Sequence, residues 1–161
     1  MLLGDILHKE VIKTDLEALD KYEAIEELVD LLVQARDLPL SLRNHVIEVI
    51  EERERSLSTG MEHGVALPHG SSDRIDDIVA AIGISRRGVP FETLDGEPAR
   101  LIILLVLPRR NFQGHVRTLA GVAHLLNNNA FREELITART PDEVLSLIAI
   151  REHPSNPSES I

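Results

Sequence analysis

The chain is expected to fold as a single α/β domain in which a small mixed β-sheet is flanked by helices on both sides. Three observations predict this. Helical periodicity comes first, short strand-like runs follow, and helical periodicity returns at the end, the order of a sheet covered by helices. The run Leu101-Ile102-Ile103-Leu104-Leu105-Val106-Leu107 is seven apolar residues stopped by Pro108, as a central strand buried on both faces requires. A length of 161 residues, 43% of them apolar, suits one core.

Taken in order, Leu2 to Leu7 predicts a helical turn or two tucked on the body, and Thr14-Asp15 a turn. Asp20 opens a helix whose apolar stripe is Ala24, Ile25, Leu28, Val29, Leu31, Leu32 and Ala35, with Lys21, Glu23, Glu26, Glu27 and Asp30 opposite. Asp37-Leu38-Pro39 breaks it. Ser41 is the expected N-cap of a second helix, which buries Leu42, Val46, Val49 and Ile50 and runs into the charged stretch Glu51 to Arg55. Val65-Ala66-Leu67 is long enough for one buried strand, which Pro68 ends because it has no N–H for a ladder. Gly70 lets the chain turn away, and Ser71 to Arg74 is a polar turn. Ile75 to Ile84 reads as a strand, followed by turns at Arg86–Pro90 and Leu94–Pro98. After the central strand, helices are expected over Gly114–Asn127, over Phe131–Ala138 and from Thr140. The last has Thr as N-cap, Pro141 at N1 and Glu143 at N3. Residues 1–150 form the domain, and 151–161 are expected to be a disordered tail.

Composition narrows the function classes. A net charge of −10 argues against a nucleic-acid partner and suits a basic protein partner, although it also serves plain solubility. With no cysteine there is no disulfide, thiolate chemistry or Cys-based zinc site. The N-terminus lacks the basic flank and long apolar core of a signal peptide, and no apolar run approaches the ~20 residues of a membrane span. A cytoplasmic protein without direct membrane insertion is expected.

The chemistry points to Ser58–Gly70. His69 sits between Pro68 and Gly70 where a strand is expected to run out, held in place yet open. The seven histidines include no pair with helical metal spacing and a third ligand, and there is no P-loop, Gly-x-Gly-x-x-Gly or Gly-x-Ser-x-Gly elbow, so no metal or cofactor is expected. A neutral imidazole can attack a phosphoryl group through one nitrogen if the other keeps its proton and is pinned by an acceptor. The phosphoryl oxygens then need donors. Candidates are His115 at a helix start, Arg53 at a helix end, and the hydroxyls of Ser58 and Thr59 as phosphate-binding groups. Three have a plainer reading: His115 as a capping or surface residue, Arg53 as a helix-end residue, Thr59 as a turn residue. Met61 and Val89 are candidates for a small apolar docking centre, or equally for the core.

Arg53-Glu54, Ser58-Thr59-Gly60 and Gly64-Val65-Ala66-Leu67-Pro68-His69-Gly70 together resemble the enzyme IIA domain, fructose–mannitol and nitrogen-regulatory type, of the bacterial phosphoenolpyruvate-dependent sugar phosphotransferase system. The resemblance continues through Leu101–Pro108, the helix with His115, Leu119, Ala120 and Leu126, Phe131–Leu135 and Thr140–Leu145. It implies a phosphoryl carrier with the family's mixed sheet and flanking helices. The residue matching the phosphorylated histidine is His69, the second active-site histidine is His115 and the arginine is Arg53. The implied donor is the phosphohistidine of HPr. The implied acceptor is a cysteine on a IIB domain in sugar uptake. A freestanding regulatory IIA that controls a partner protein is the alternative. Two departures stand out: Glu62 where the family often has Gly, and Gly114 and Val116 where an acidic residue and Leu usually flank the second histidine.

Overall fold

The computed structural model describes residues 2–154; most of the tail expected from 151 onward therefore lies outside the described residues. Five strands form one mixed sheet: β1 (Ile12–Lys13), β2 (Val65–Ala66), β3 (His69–Ser72), β4 (Val79–Val89) and β5 (Ala99–Pro108). β5 is central. β4 pairs with it antiparallel, β2 and β3 pair with it parallel along its other side, and β1 adds to β4 in parallel. Nearly every residue of β5 is buried, as a branched apolar run covered on both faces demands.

Helices α1 (Lys21–Gln34) and α2 (Arg43–Ser56) pack on each other and against β4 and β3, while α3 (Phe112–Leu125), α4 (Asn129–Thr137) and α5 (Pro141–Glu152) lie against β5, β4 and β1. Asp20 caps α1, its carboxylate accepting the Glu23 N–H at 2.9 Å, and Ala24, Ile25, Leu28, Val29 and Leu32 are buried as their spacing predicts. Thr140 caps α5 by accepting the Glu143 N–H at 3.2 Å, with Pro141 in the first turn. Residues 151 and 152, assigned to the tail by sequence, complete α5. The Glu152 carboxylate accepts the N–H groups of Leu3 and Gly4, both at 2.8 Å, and so ties the two ends of the domain together. Among the described residues no helix is long and apolar enough to cross a membrane.

Several boundaries differ from the sequence reading for local reasons. Ser41 lies in a 3-10 turn, Leu40–Leu42, and Leu42 rather than Ser41 precedes α2 without any side-chain cap. Arg43 compensates by pairing with Asp30 of α1. β4 starts at Val79, not Ile75; Ile75 and Ile78 are buried residues of the preceding turn. It also runs through Arg86-Arg87-Gly88, where a turn was expected. A shift in register between Ile84 and Val89 absorbs Gly88 at φ 85° and lets Val89 pair with Ala99. Val89 is wholly buried, so it belongs to the core and not to a docking surface; Met61 is half-buried against that core.

Candidate functional site

His69 stands at the first position of β3, and its setting begins with Pro68. Ala66 lies opposite Ile102 and His69 opposite Leu105, three residues further on along both strands. β2 and β3 are thus one edge strand in constant register, interrupted where Pro68 has no N–H to donate. The Pro68 carbonyl still accepts from Leu105 at 3.0 Å. The strand therefore does not end at His69, and Gly70, Ser71 and Ser72 continue it rather than turning away. Gly70 has a packing reason: a Cβ there would meet Val49 at 2.8 Å and Ile50 at 3.1 Å. Ser72, on the same side, meets His45 of α2 at 2.7 Å. Strand alternation puts His69 and Ser71 on the other side.

The His69 ring has a fixed tautomer. Its Nδ1 lies 2.8 Å from the Leu67 carbonyl oxygen, which can only accept, so Nδ1 carries the proton and Nε2 the free lone pair. The basicity of the ring is lowered. Burial is the main cause and the Arg53 charge adds to it, while the Leu67 hydrogen bond and the Glu54 charge act in the opposite direction. Neutral imidazole is consequently the form present at neutral pH. The same shift makes stability pH-dependent. Below the unfolded value of about 6.5 the unfolded chain binds this proton more readily than the folded one, so stability falls as pH drops through the window down to the folded pKa; it is complete above 6.5. Denaturant unfolding across pH ~5–8 should show this slope, and His69→Asn, which keeps a donor for Leu67, should flatten it. Equal slopes in both proteins would mean that His69 titrates normally.

His69 and Arg53 share one pocket of about 400 Å³, lined also by Val49, Glu52, Ser56, Gly70, Ser71 and Leu107. Arg53 reaches it from the last turn of α2. One N–H donates to the Leu57 carbonyl at 2.8 Å, which caps the helix end. Among the described residues the guanidinium has no other hydrogen-bond partner, which leaves the rest of its about five donors for another acceptor. Arg53 is thus both a helix-end residue and a pocket residue. Its neighbour Glu54 points inward and is buried, accepting the Thr59 N–H at 3.0 Å and the Thr59 hydroxyl at 2.6 Å, with Lys21 Nζ at 3.6 Å. Ser58 donates its hydroxyl to the Phe91 carbonyl and accepts the Gly60 N–H at 3.1 Å. Neither Ser58 nor Thr59 lines the pocket; both shape the loop that joins α2 to β2. Glu62 is exposed beside His63, at 3.7 Å, and is likewise outside the pocket lining.

His115 occupies the first turn of α3, half-buried, its N–H donating to Asn111 at 3.2 Å. It does not line the His69 pocket. Topology nevertheless brings it to the same end of the sheet, because β3 and β5 are parallel and α3 follows directly from the end of β5. Glu52, Ser56 and Ser71 line the pocket but carry no sequence signal of their own. Leu57, 70% exposed beside Arg53, is apolar surface without a sequence signal; Val116, which helical spacing puts in register with Leu119, Ala120, Ala123 and Leu126, is 43% exposed beside His115 rather than packed in the core.

Residues 5–150 match the family model described as phosphoenolpyruvate-dependent sugar phosphotransferase system, EIIA 2. The chain is 31% identical over 148 residues to the fructose-specific EIIABC component of Bacillus subtilis (strain 168), a match that covers 92% of this chain but 23% of that protein. It is 29% identical over 150 residues to a nitrogen regulatory protein of Bradyrhizobium diazoefficiens, covering 93% of this chain and 96% of the relative. Among solved structures, nitrogen regulatory protein IIA-Ntr from Neisseria meningitidis superposes with a TM-score of 0.82 at 31% identity, covering 91% of this chain and 98% of that one.

Proposed function

The chain belongs to the EIIA 2 family of the phosphoenolpyruvate-dependent sugar phosphotransferase system, and from that premise we propose that it is a phosphoryl carrier in the cytoplasm. In this reading His69 takes phosphate from phospho-HPr and passes it to a IIB cysteine. The observation that carries the assignment is the Nδ1–H bond from His69 to Leu67, which leaves Nε2 as the nucleophile. In the first step Nε2 attacks the phosphorus of the donor's phosphohistidine. A new N–P bond forms on Nε2, the donor's N–P bond breaks, and its electron pair returns to the donor imidazole. In the second step a cysteine thiolate attacks, an S–P bond forms, and the electron pair of the breaking N–P bond returns to Nε2. Little covalent work falls to the protein; its task is to place donors around the moving phosphoryl oxygens.

Arg53 is suited to that task because its charge persists at every working pH and its free N–H groups open on the pocket with His69. Arg53→Lys is expected to transfer phosphate at least tenfold more slowly, since an ammonium cannot cap Leu57 and present a fork to phosphate together. Wild-type transfer by that variant would reduce Arg53 to a helix-end residue. His115 is the second donor in this reading, contributed from the start of α3. His115→Ala should lower the transfer rate by ~10²–10³ without unfolding the protein, as loss of one preorganised donor does. Ser58 and Thr59 enter through the loop they hold; a direct bond from either to phosphate would require it to leave Phe91 or Glu54. The exposed Leu57 gives a docking partner an apolar contact at the rim.

A second reading has its own support. Two of the similar proteins, matched over nearly their full length, are named as nitrogen regulatory proteins, whereas the Bacillus relative carries additional components in a much longer chain. A regulatory IIA would use the same His69 chemistry, and the added charge of phosphate, up to about −2, would change its affinity for a target protein. Phosphate loss from labelled protein, measured against the IIB domains of the same genome, separates the two. Rapid discharge to one IIB supports transport; no discharge to any of them supports regulation. Failure to accept phosphate from phospho-HPr at all would overturn both.

A further inference from the structure

At the far end of the sheet from His69 lies a cleft of about 720 Å³ lined by Thr14, Asp15, Leu16, Ser85, Arg86, Arg87 and Arg139. β1 and β4 run parallel to each other and β4 runs antiparallel to β5, so Thr14 and Ser85–Arg87 sit where β5 begins, whereas His69 sits toward the end of β5. The cleft also lies on the opposite edge of the sheet, since β1 and β3 are its two outer strands.

Three features distinguish this cleft from ordinary polar surface. Ser85, Arg86 and Arg87 line the cavity within the register shift between Ile84 and Val89, and a bulge of this kind bends a strand and changes where its side chains point. Gly88 is required there: at φ 85° any Cβ would meet the Pro98 Cβ at 2.5 Å. The surrounding walls are also fastened. Arg87 Nη2 donates to the Glu17 carbonyl at 3.0 Å, and Thr14 donates its hydroxyl to the Arg139 carbonyl at 3.3 Å, which holds the α4–α5 loop against the end of β1. Finally, three arginines converge on one cleft: among the described residues Arg86, Arg87 and Arg139 pair with no carboxylate, as is true of several other arginines, but these three line the same cavity in a chain of net charge −10. Asp15 is the one acid in the lining, and Lys13 feels its charge together with the stronger influence of Glu27 and Glu17.

We propose that this cleft is a second anion site, taking a small molecule that bears two or more phosphate or carboxylate groups. Guanidinium forks match either oxyanion bidentately, and the volume lies within the ~300–1,000 Å³ typical of small-molecule sites. The Ser85 hydroxyl, buried in the wall, accepts the Gly88 N–H at 3.2 Å and so holds the bulge that carries Arg86 and Arg87. The site is independent of phosphoryl transfer at His69, and a molecule held there leaves the His69 pocket open to a docking partner.

Calorimetric titration with pyrophosphate and, separately, citrate tests the proposal and distinguishes phosphate from carboxylate ligands. One saturable site is expected for at least one of them. Its affinity should fall tenfold or more in an Arg86→Ala, Arg139→Ala double variant and should hold in Arg53→Ala, which removes the other candidate anion pocket. In the unaltered protein, backbone amide resonances of Thr14, Ser85, Arg86 and Arg139 should shift on titration, while those of His69, Gly70 and Ser71 stay in place. This arm does not depend on the variants folding. No saturable binding of either probe, or shifts confined to the His69 end, would overturn it.

Discussion

His69→Ala is expected to take up no phosphate at all. With phosphoenolpyruvate, enzyme I and HPr, the unaltered protein should acquire one phosphoryl group, stable in alkali and lost in acid as a phosphoramidate is. The effect should be complete because Nε2 of His69 is the nucleophile in this reading, and removing the bond-forming atom is unlike removing a donor that only lowers the barrier. His69→Asn is the companion variant: its amide N–H can still reach the Leu67 carbonyl, so the β2–β3 junction keeps its bond while the nucleophile is gone. Both variants should fold and both should be inert. Label retained at full level by either would move the phosphorylation site elsewhere, and His115 would be the first place to look.

What the sequence made legible here was punctuation and periodicity. Thr140-Pro141-Asp142-Glu143 and Asp20 announced the starts of α5 and α1 because capping is a local matter of one side chain and one or two N–H groups. Leu101–Leu107 announced the central strand because burial on both faces leaves no polar alternation. Pro68 was read correctly as a missing donor but wrongly as an end. Whether a strand stops at a proline or resumes after it depends on the partner strand, and β5 keeps its register across the gap. The same applies to Arg86-Arg87-Gly88, where turn-like residues proved to be a bulge because Val89 has Ala99 to pair with.

The site divides along the same line. His69 and Arg53 meet in one pocket although 15 intervening positions separate them in the chain, because α2 packs against β3 with the C-terminal part of the helix beside the start of the strand. The family motif predicted that pairing; spacing alone could not. Ser58 and Thr59 illustrate the converse. Hydroxyls in a turn a few residues before His69 suggest phosphate ligands, but the fold also gives them partners of its own. Once the chain is folded, Phe91 and Glu54 engage them. The inward-pointing acid that engages Thr59 stands in the quoted Arg53-Glu54 pair, but its burial has no signal in a run of charges, where Glu51, Glu52 and Glu54 look alike and only helical phase separates them.

Glu54 is accordingly the residue whose loss should cost the fold most. Its side chain is fully buried, with Lys21 Nζ at 3.6 Å and only 10% exposed, and it accepts both the N–H and the hydroxyl of Thr59. Replacing it with alanine would strand a buried ammonium and leave two donors unsatisfied. Breaking a buried pair from one side typically costs ~3–5 kcal/mol. Lys21 keeps a second partner in Glu92 at 3.4 Å, but that carboxylate is 80% exposed and screened by solvent, so it offsets little. Glu54→Ala should therefore lower the unfolding free energy by about 3 kcal/mol or more, read from urea midpoints at constant slope. A drop below about 1 kcal/mol would show that water or Glu92 replaces the lost contacts without strain. Glu54→Leu combined with Lys21→Met should recover much of the stability, because removing both charges removes the stranded one. The recovery should not extend to transfer. The Glu54 charge raises the basicity of His69, and the carboxylate fixes Thr59 and the loop that carries the Leu57 carbonyl to Arg53. A double variant that is stable yet slow would separate the two contributions of this carboxylate, one to the core and one to the geometry of the His69 pocket.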